Sequence, residues 1–267
     1  DKVILSNMLT LEMFGYYTIA ATAASGIWII IMPFSLTIFP RLVLLYENKE
    51  KVKTRLLFHQ FSQLLSLLLL PVCATLIVFS KQILMLWLHD PIIVENAHII
   101  MILLVFGTML NGMVSVPALS ASAFGWPQLM TYTNFVQSFF IIPLIFLLVN
   151  WLGGVGAAIA WIALNSTYIL FYTPLFFRRF LRKELKKWYI FNSIIPLLSA
   201  FTICIVCSYL APKMTNNFSN ILLITGTGLL SLFVTAMTMS YTRGIIFEKW
   251  VILSKKNNYE KYIMKIF

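Results

Sequence analysis

The residues able to do chemistry in this chain are few, and most carry no charge. Asn134 and Gln137 are three apart, Asn165 and Tyr168 are three apart, and Gln60 and Gln63 repeat that spacing beside His59. A separation of three places two side chains on one face of a helix. Asn111 stands alone within an apolar run. Amides and phenols both give and accept hydrogen bonds. The chemistry on offer is therefore non-covalent binding of a polar cargo in a hydrated cavity. The competing reading is hydrogen bonding between helices, worth about 0.6 kcal/mol per pair inside a membrane. Arg41 follows Pro40; it can meet a phosphate or carboxylate, or reach out to lipid headgroups.

The remaining candidates have plainer readings. His89, Asp90 and Glu95 form the one cluster of titratable groups away from the basic segments, and Pro91 after Asp90 is the pattern of a helix start. Cys204-x-x-Cys207 has redox or metal spacing, but no His or basic residue is near, and both thiols, like Cys73, sit in apolar runs. They read as packing. No constellation of acids, His and nucleophile can be assembled, so we expect no enzyme, no cofactor and no metal.

The elements that must position these residues follow from the sorting of charge. Of 267 residues 60% are hydrophobic and 11% charged, against about a quarter charged in a soluble domain. Seven apolar stretches carry no ionised side chain away from their ends: about 14–45, 56–79, 92–119, 128–149, 153–177, 190–210 and 219–241. Burying a charge in hydrocarbon costs several kcal/mol, and about 20 residues of helix cross a bilayer. The fold expected is an all-α, polytopic transmembrane bundle of about seven spanning helices, preceded by the end of another over Val3 to Leu9. The net charge of +11 does not indicate nucleic acid, because the charges flank the spans.

Alternate gaps collect the cations. The segments 41–55, 178–187 and 243–265 hold 17 of the 20 Lys and Arg residues, and all three fall on one side if seven spans alternate. The positive-inside rule makes that side cytoplasmic. The gap 120–127 joins it by alternation alone. Trp87, Trp126, Trp151 and Trp188 lie at span ends, where the headgroup layer suits indole; Trp28 and Trp161 lie within spans, as packing or as a cavity wall. Prolines in six spans (Pro33 with Pro40, then Pro71, Pro117, Pro143, Pro174 and Pro196) are expected to bend helices. The organisation predicted is a lobe over 1–177, a basic interfacial helix as linker over 178–189, an additional helix pair over 190–241 and a basic tail over 242–267. Because the chain opens on Asp1-Lys2-Val3, we expect it to be the C-terminal part of a longer protein.

Specific strings add a resemblance. Asp1-Lys2-Val3-Ile4-Leu5-Ser6, Phe14-Gly15-Tyr16-Tyr17-Thr18-Ile19-Ala20, Phe39-Pro40-Arg41 and Ile83-Leu84-Met85-Leu86-Trp87-Leu88 occur in order. Phe106-Gly107-Thr108-Met109-Leu110-Asn111-Gly112, Pro117, Gly125-Trp126, Gly153-Gly154-Val155-Gly156-Ala157-Ala158, Trp161 and Asn165 follow. Together they resemble the O-antigen and capsule flippases of the multidrug/oligosaccharidyl-lipid/polysaccharide exporter superfamily, well to about Tyr189 and weakly beyond.

The resemblance implies two six-helix lobes around a central cavity, this chain holding the second lobe and two additional C-terminal helices. It implies a non-enzymatic carrier of undecaprenyl-pyrophosphate-linked oligosaccharide in the bacterial inner membrane. The implied partners are that lipid-linked sugar, membrane lipids, a first lobe and the polysaccharide polymerase machinery. Asn111, Asn134, Gln137, Asn165 and Tyr168 are the expected sugar contacts, with Arg41 as a further cavity candidate. A cation-coupled multidrug exporter of the same superfamily favours an intramembrane carboxylate, which these spans lack. A membrane polymerase or ligase requires a large outer-face loop, and the gaps are short.

Overall fold

A computed structural model describes residues 2–210 and 217–244, and among these every regular element is a helix. Hydrocarbon offers backbone groups no partner, so each apolar run closes its own hydrogen bonds as a helix. In chain order they are α1 (Lys2–Met8), α2 (Leu11–Ser25), α3 (Trp28–Glu47), α4 (Lys51–Val78), α5 (Ser80–Leu88), α6 (Pro91–Ala123), α7 (Gln128–Thr167), α8 (Thr173–Phe180), α9 (Leu185–Lys187), α10 (Ile195–Leu210) and α11 (Asn217–Thr238). Wide π turns join α7 to α8 (Tyr168–Tyr172) and α9 to α10 (Trp188–Ile194). The tail expected from Thr242 lies outside the described residues beyond Gly244.

Among the described residues six continuous runs are long and apolar enough to cross a membrane, and one of them is long enough for two passes. The run Gln128–Phe180 has 53 residues, about 80 Å of helix at 1.5 Å per residue against about 30 Å of hydrocarbon. It doubles back at Gly153, whose φ of 58° and ψ of −134° are not helical. Tyr168 Oη donates to Asn134 Oδ1 at 2.5 Å, and Gln137 Nε2 donates to Thr167 Oγ1. Residues on either side of 153 therefore lie side by side, as antiparallel arms. Glycine is required twice here: at 153 for the positive φ, and at 156 because a Cβ would overlap the Leu148 carbonyl of the opposite arm.

Helix α6 is the axis of the bundle. It packs against α2, α3, α4, α5 and α7, and α10 and α11 pack on α4 and on each other. Small residues allow the approach: Ala97 and Ala121 on α6 are fully buried, and a Cβ at Gly112 would press on Leu69 of α4 and Ile31 of α3. Asp90 starts α6 as read from the sequence. Its Oδ1 accepts from Ile92 N at 2.8 Å and Ile93 N at 3.3 Å, with Pro91 at the first helical position. The outer faces stay apolar and bare: Ile29, Leu36, Phe135 and Phe139 are each at least 77% exposed. Water would not tolerate so large an apolar surface; lipid does. The chain is a multi-pass helical membrane protein.

The first span runs over Leu11–Glu47 as one candidate crossing; α2 and α3 meet at a tight turn at Gly26 and Ile27, whose dihedrals stay right-handed helical. One expectation changes. The basic segment 178–189 is not a helix of its own: α8 ends at Phe180, a turn follows, and α9 already begins the next span. The prolines divide into two groups. Pro33, Pro40, Pro71, Pro117 and Pro143 run inside helices, and the sharp reversal within α7 lies at Gly153. Pro174 and Pro196 each follow a π turn. Proline cannot donate, and its ring crowds the carbonyl four residues back; an extra residue in the turn relieves that crowding. The carbonyls left over find side chains. Tyr189 Oη donates to Ile169 O at 2.5 Å, and Ser66 Oγ donates to Asn192 O at 2.6 Å.

The basic gaps 41–55 and 178–187, the uncharged gap 120–127 and the chain at Tyr241 meet at one end. Arg55 lies 3.3 Å from Glu184, Tyr46 stacks on Phe124, Arg179 lies over Trp126, and the backbone of Tyr241 donates to Gln63. The opposite end carries the Lys81–Glu95 pair at 2.7 Å and the Gly153 turn.

Candidate functional site

The tight turn between α2 and α3 borders a cavity of about 360 Å³. Ala24, Ser25 and Trp28 face it from either side of that turn, Thr108 from α6, and Trp161 and Leu164 from the second arm of α7. The wall is mostly apolar, with indoles on two sides. Trp161 Nε1 donates to Thr108 Oγ1 at 3.2 Å, which fixes the indole plane. A Cβ at Gly107 would strike the Trp161 ring, so glycine is needed there for this placement.

One helical turn further, α6 and α7 are joined by amides. Asn111 Nδ2 donates to Asn165 Oδ1 at 2.7 Å, and Asn165 Nδ2 donates to the Trp161 carbonyl at 2.8 Å. Asn165 is fully buried. The hairpin pairs described above, Asn134 with Tyr168 and Gln137 with Thr167, continue this polar seam toward the basic end. The Gln137 Oε1 and Tyr172 Oη atoms are buried without a partner, each costing about 1–3 kcal/mol.

The structure thus brings five of the six expected residues into one seam and pairs them across helices; none of the six lines the 360 Å³ cavity. Arg41 stands apart, exposed on α3 without a hydrogen-bond or ion-pair partner among the described residues. Trp161 was open between packing and wall in the sequence and proves to be wall. Its signal was present, since Trp161 lies four residues before Asn165, as Thr108 lies three before Asn111.

A second polar group escaped the sequence. Glu184, one acid among six cations, is buried. Its Oε2 accepts from His59 Nε2 at 3.0 Å, and its Oε1 accepts from Arg55 at 3.3 Å. Asn192 Nδ2 donates to His59 Nδ1 at 2.8 Å, Gln63 Nε2 donates to Asn192 Oδ1 at 3.2 Å, and Tyr241 N donates to Gln63 Oε1 at 3.1 Å. With His59 protonated on Nε2 alone, every donor in this relay meets an acceptor. The relay ties α4, the α9–α10 junction and the end of α11 together beside a cavity of about 510 Å³. His89, Asp90 and Glu95 make no such group; among the described residues no cluster of His, Cys, Asp and Glu could hold a metal. Cys204 is buried against Thr75, and the cysteines are free.

Fold and site together define a helical membrane protein with an aromatic-walled cavity beside a polar seam. Over 161 residues, 60% of this chain, it is 25% identical to a Shigella flexneri protein named "Putative O-antigen transporter". The match covers 38% of that protein's length. No protein-family model matches the chain, and no solved structure does.

Proposed function

We propose that this chain is part of a flippase carrying an undecaprenyl-pyrophosphate-linked oligosaccharide, an O-antigen or capsule repeat unit, across the bacterial inner membrane by alternating access. The observation that carries the reading is the polar seam set beside an aromatic-walled cavity. The similarity to the Shigella protein supports it. Sugars need hydrogen-bond partners on passing through hydrocarbon, and the apolar face of a sugar ring packs on indole. In this reading Trp28 and Trp161 stack on the cargo. Asn111, Asn134, Gln137, Asn165 and Tyr168 exchange their partners on neighbouring helices for sugar hydroxyls, and Arg41 meets phosphate. A first lobe closes the cavity, the lipid tail stays in the bilayer, and the polymerase machinery takes the product.

The test is translocation of lipid-linked sugar by the full-length protein. Deletion should leave lipid-linked units in the inner leaflet, and the intact gene should restore export. Restored export with units still unpolymerised would point to a polymerase instead. Asn134→Ala with Gln137→Ala is expected to lower flipping about ten-fold or more at normal protein level, since each sugar hydroxyl left unpaired costs about 1 kcal/mol. Unchanged transport would return both residues to packing. The basic end is proposed to be cytoplasmic. Cysteines placed within 178–187 are then expected to resist an impermeant reagent in intact cells, and labelling there would invert the orientation.

A further inference from the structure

We propose that the turns gathered at the basic end form a binding site for one anionic phospholipid headgroup. Between the α3–α4 turn, the α6–α7 turn and the end of α8 lies a cavity of about 600 Å³. Its inner wall is aromatic. Tyr46 and Phe124 lie 4.6 Å apart at 21°, and Phe180 meets them at 6.1 Å and 5.3 Å with its edge toward their planes. Its rim carries Lys49, Lys51 and Arg179.

The rim is held in place by its backbone and by a ring. Lys49 adopts a left-handed φ of 57° where the chain reverses, and the turn is closed by Glu50 N donating to Leu45 O at 3.0 Å. The Arg179 guanidinium sits 4.4 Å over the Trp126 ring, a cation–π contact. Among the described residues none of these three cations forms an ion pair. Glu47 is the one acid lining the cavity. The adjoining cavity of about 250 Å³, which shares Lys51, adds three further cations and only Glu184, which Arg55, His59 and Lys187 already engage.

Three cations outside any ion pair, against one acid, above an aromatic wall suit a ligand that is anionic at one end and apolar at the other. A free phosphate would use only the rim, whereas a phospholipid uses rim and wall, and the place lies at helix ends, where headgroups lie. General attraction to an anionic bilayer counts charges without regard to position; this site distinguishes particular lysines from their neighbours.

The experiment is native mass spectrometry of the full chain released from non-ionic detergent. It is titrated with phosphatidylglycerol or phosphatidylcholine, with inorganic phosphate as competitor. One phosphatidylglycerol should be retained at a concentration about a hundred-fold below that needed for phosphatidylcholine, at about five-fold per cation. K49Q/K51Q/R179Q should abolish the preference. K53Q/R178Q/K186Q removes equal charge from exposed positions outside both cavities and should keep it. K49Q/K51Q, which leaves the ring contacts intact and changes two exposed side chains, should lose about twenty-fold. Equal loss in both triple variants means diffuse attraction and overturns the site. Displacement of the lipid by millimolar inorganic phosphate means that phosphate alone is held, and overturns it as well.

Discussion

Replacing Gly156 with valine is expected to open the α7 hairpin. A Cβ at this position would overlap the Leu148 carbonyl and carbon across the turn, and these are backbone atoms with no rotamer to yield. Alanine should cost about 1–3 kcal/mol and valine more, as for other overfilled sites. The effect should reach the seam, because Gln137 and Thr167 stay in contact only while the arms are parallel. Cysteines at those two positions should cross-link readily in an otherwise native chain and fail to do so beside Gly156→Val. Thermal unfolding in detergent gives the second measure. Efficient cross-linking in the valine variant would mean that the arms can separate at 156 without consequence.

Glu184→Ala is expected to loosen the C-terminal helices from α4. Removing the carboxylate strands the His59 Nε2–H, which is partly buried, at about 1–3 kcal/mol. It also leaves Arg55 and Lys187 without their acid, although both are largely exposed and add little. Trypsin should then cut at Arg182 and Lys183 about ten-fold faster or more, since each 1.4 kcal/mol is a factor of ten. Glu184→Gln keeps an acceptor for His59 and should fall between. If alanine and glutamine behave alike and as wild type, the relay is not what holds the helices together.

Much of this architecture can be read directly from residue order. The apolar stretch 92–119 sits inside α6, Pro91 starts it, and Asp90 caps it, because burial and capping are local rules. The turn at Gly153 was legible as a gap between two apolar runs. The tight turn at Gly26 was not: a lone glycine in an apolar run looks the same whether or not the helix tightens there. The prolines were read as bends; five lie inside helices, and two follow π turns, where Tyr189 and Ser66 donate to carbonyls of the turn, a difference that residue order alone does not show. At the site, spacing placed Asn134 with Gln137 and Asn165 with Tyr168 on shared faces. It could not say that these faces meet one another and not the cavity. Glu184 was hidden for a similar reason: its partners His59 and Arg55 are more than a hundred residues distant in sequence.

The two π turns also affect how the molecule tolerates changes of length. A π turn holds about one residue more than an α turn, so deleting a residue between Tyr168 and Tyr172 lets that turn shrink to ordinary pitch. The helix after it keeps its azimuth, and Phe176 and Phe177 still point inward. The same deletion within the regular stretch of α6 would rotate everything downstream by about 100°. The junctions between the hairpin, the basic turn and the final helix pair are therefore where insertions and deletions do least harm to helix phase.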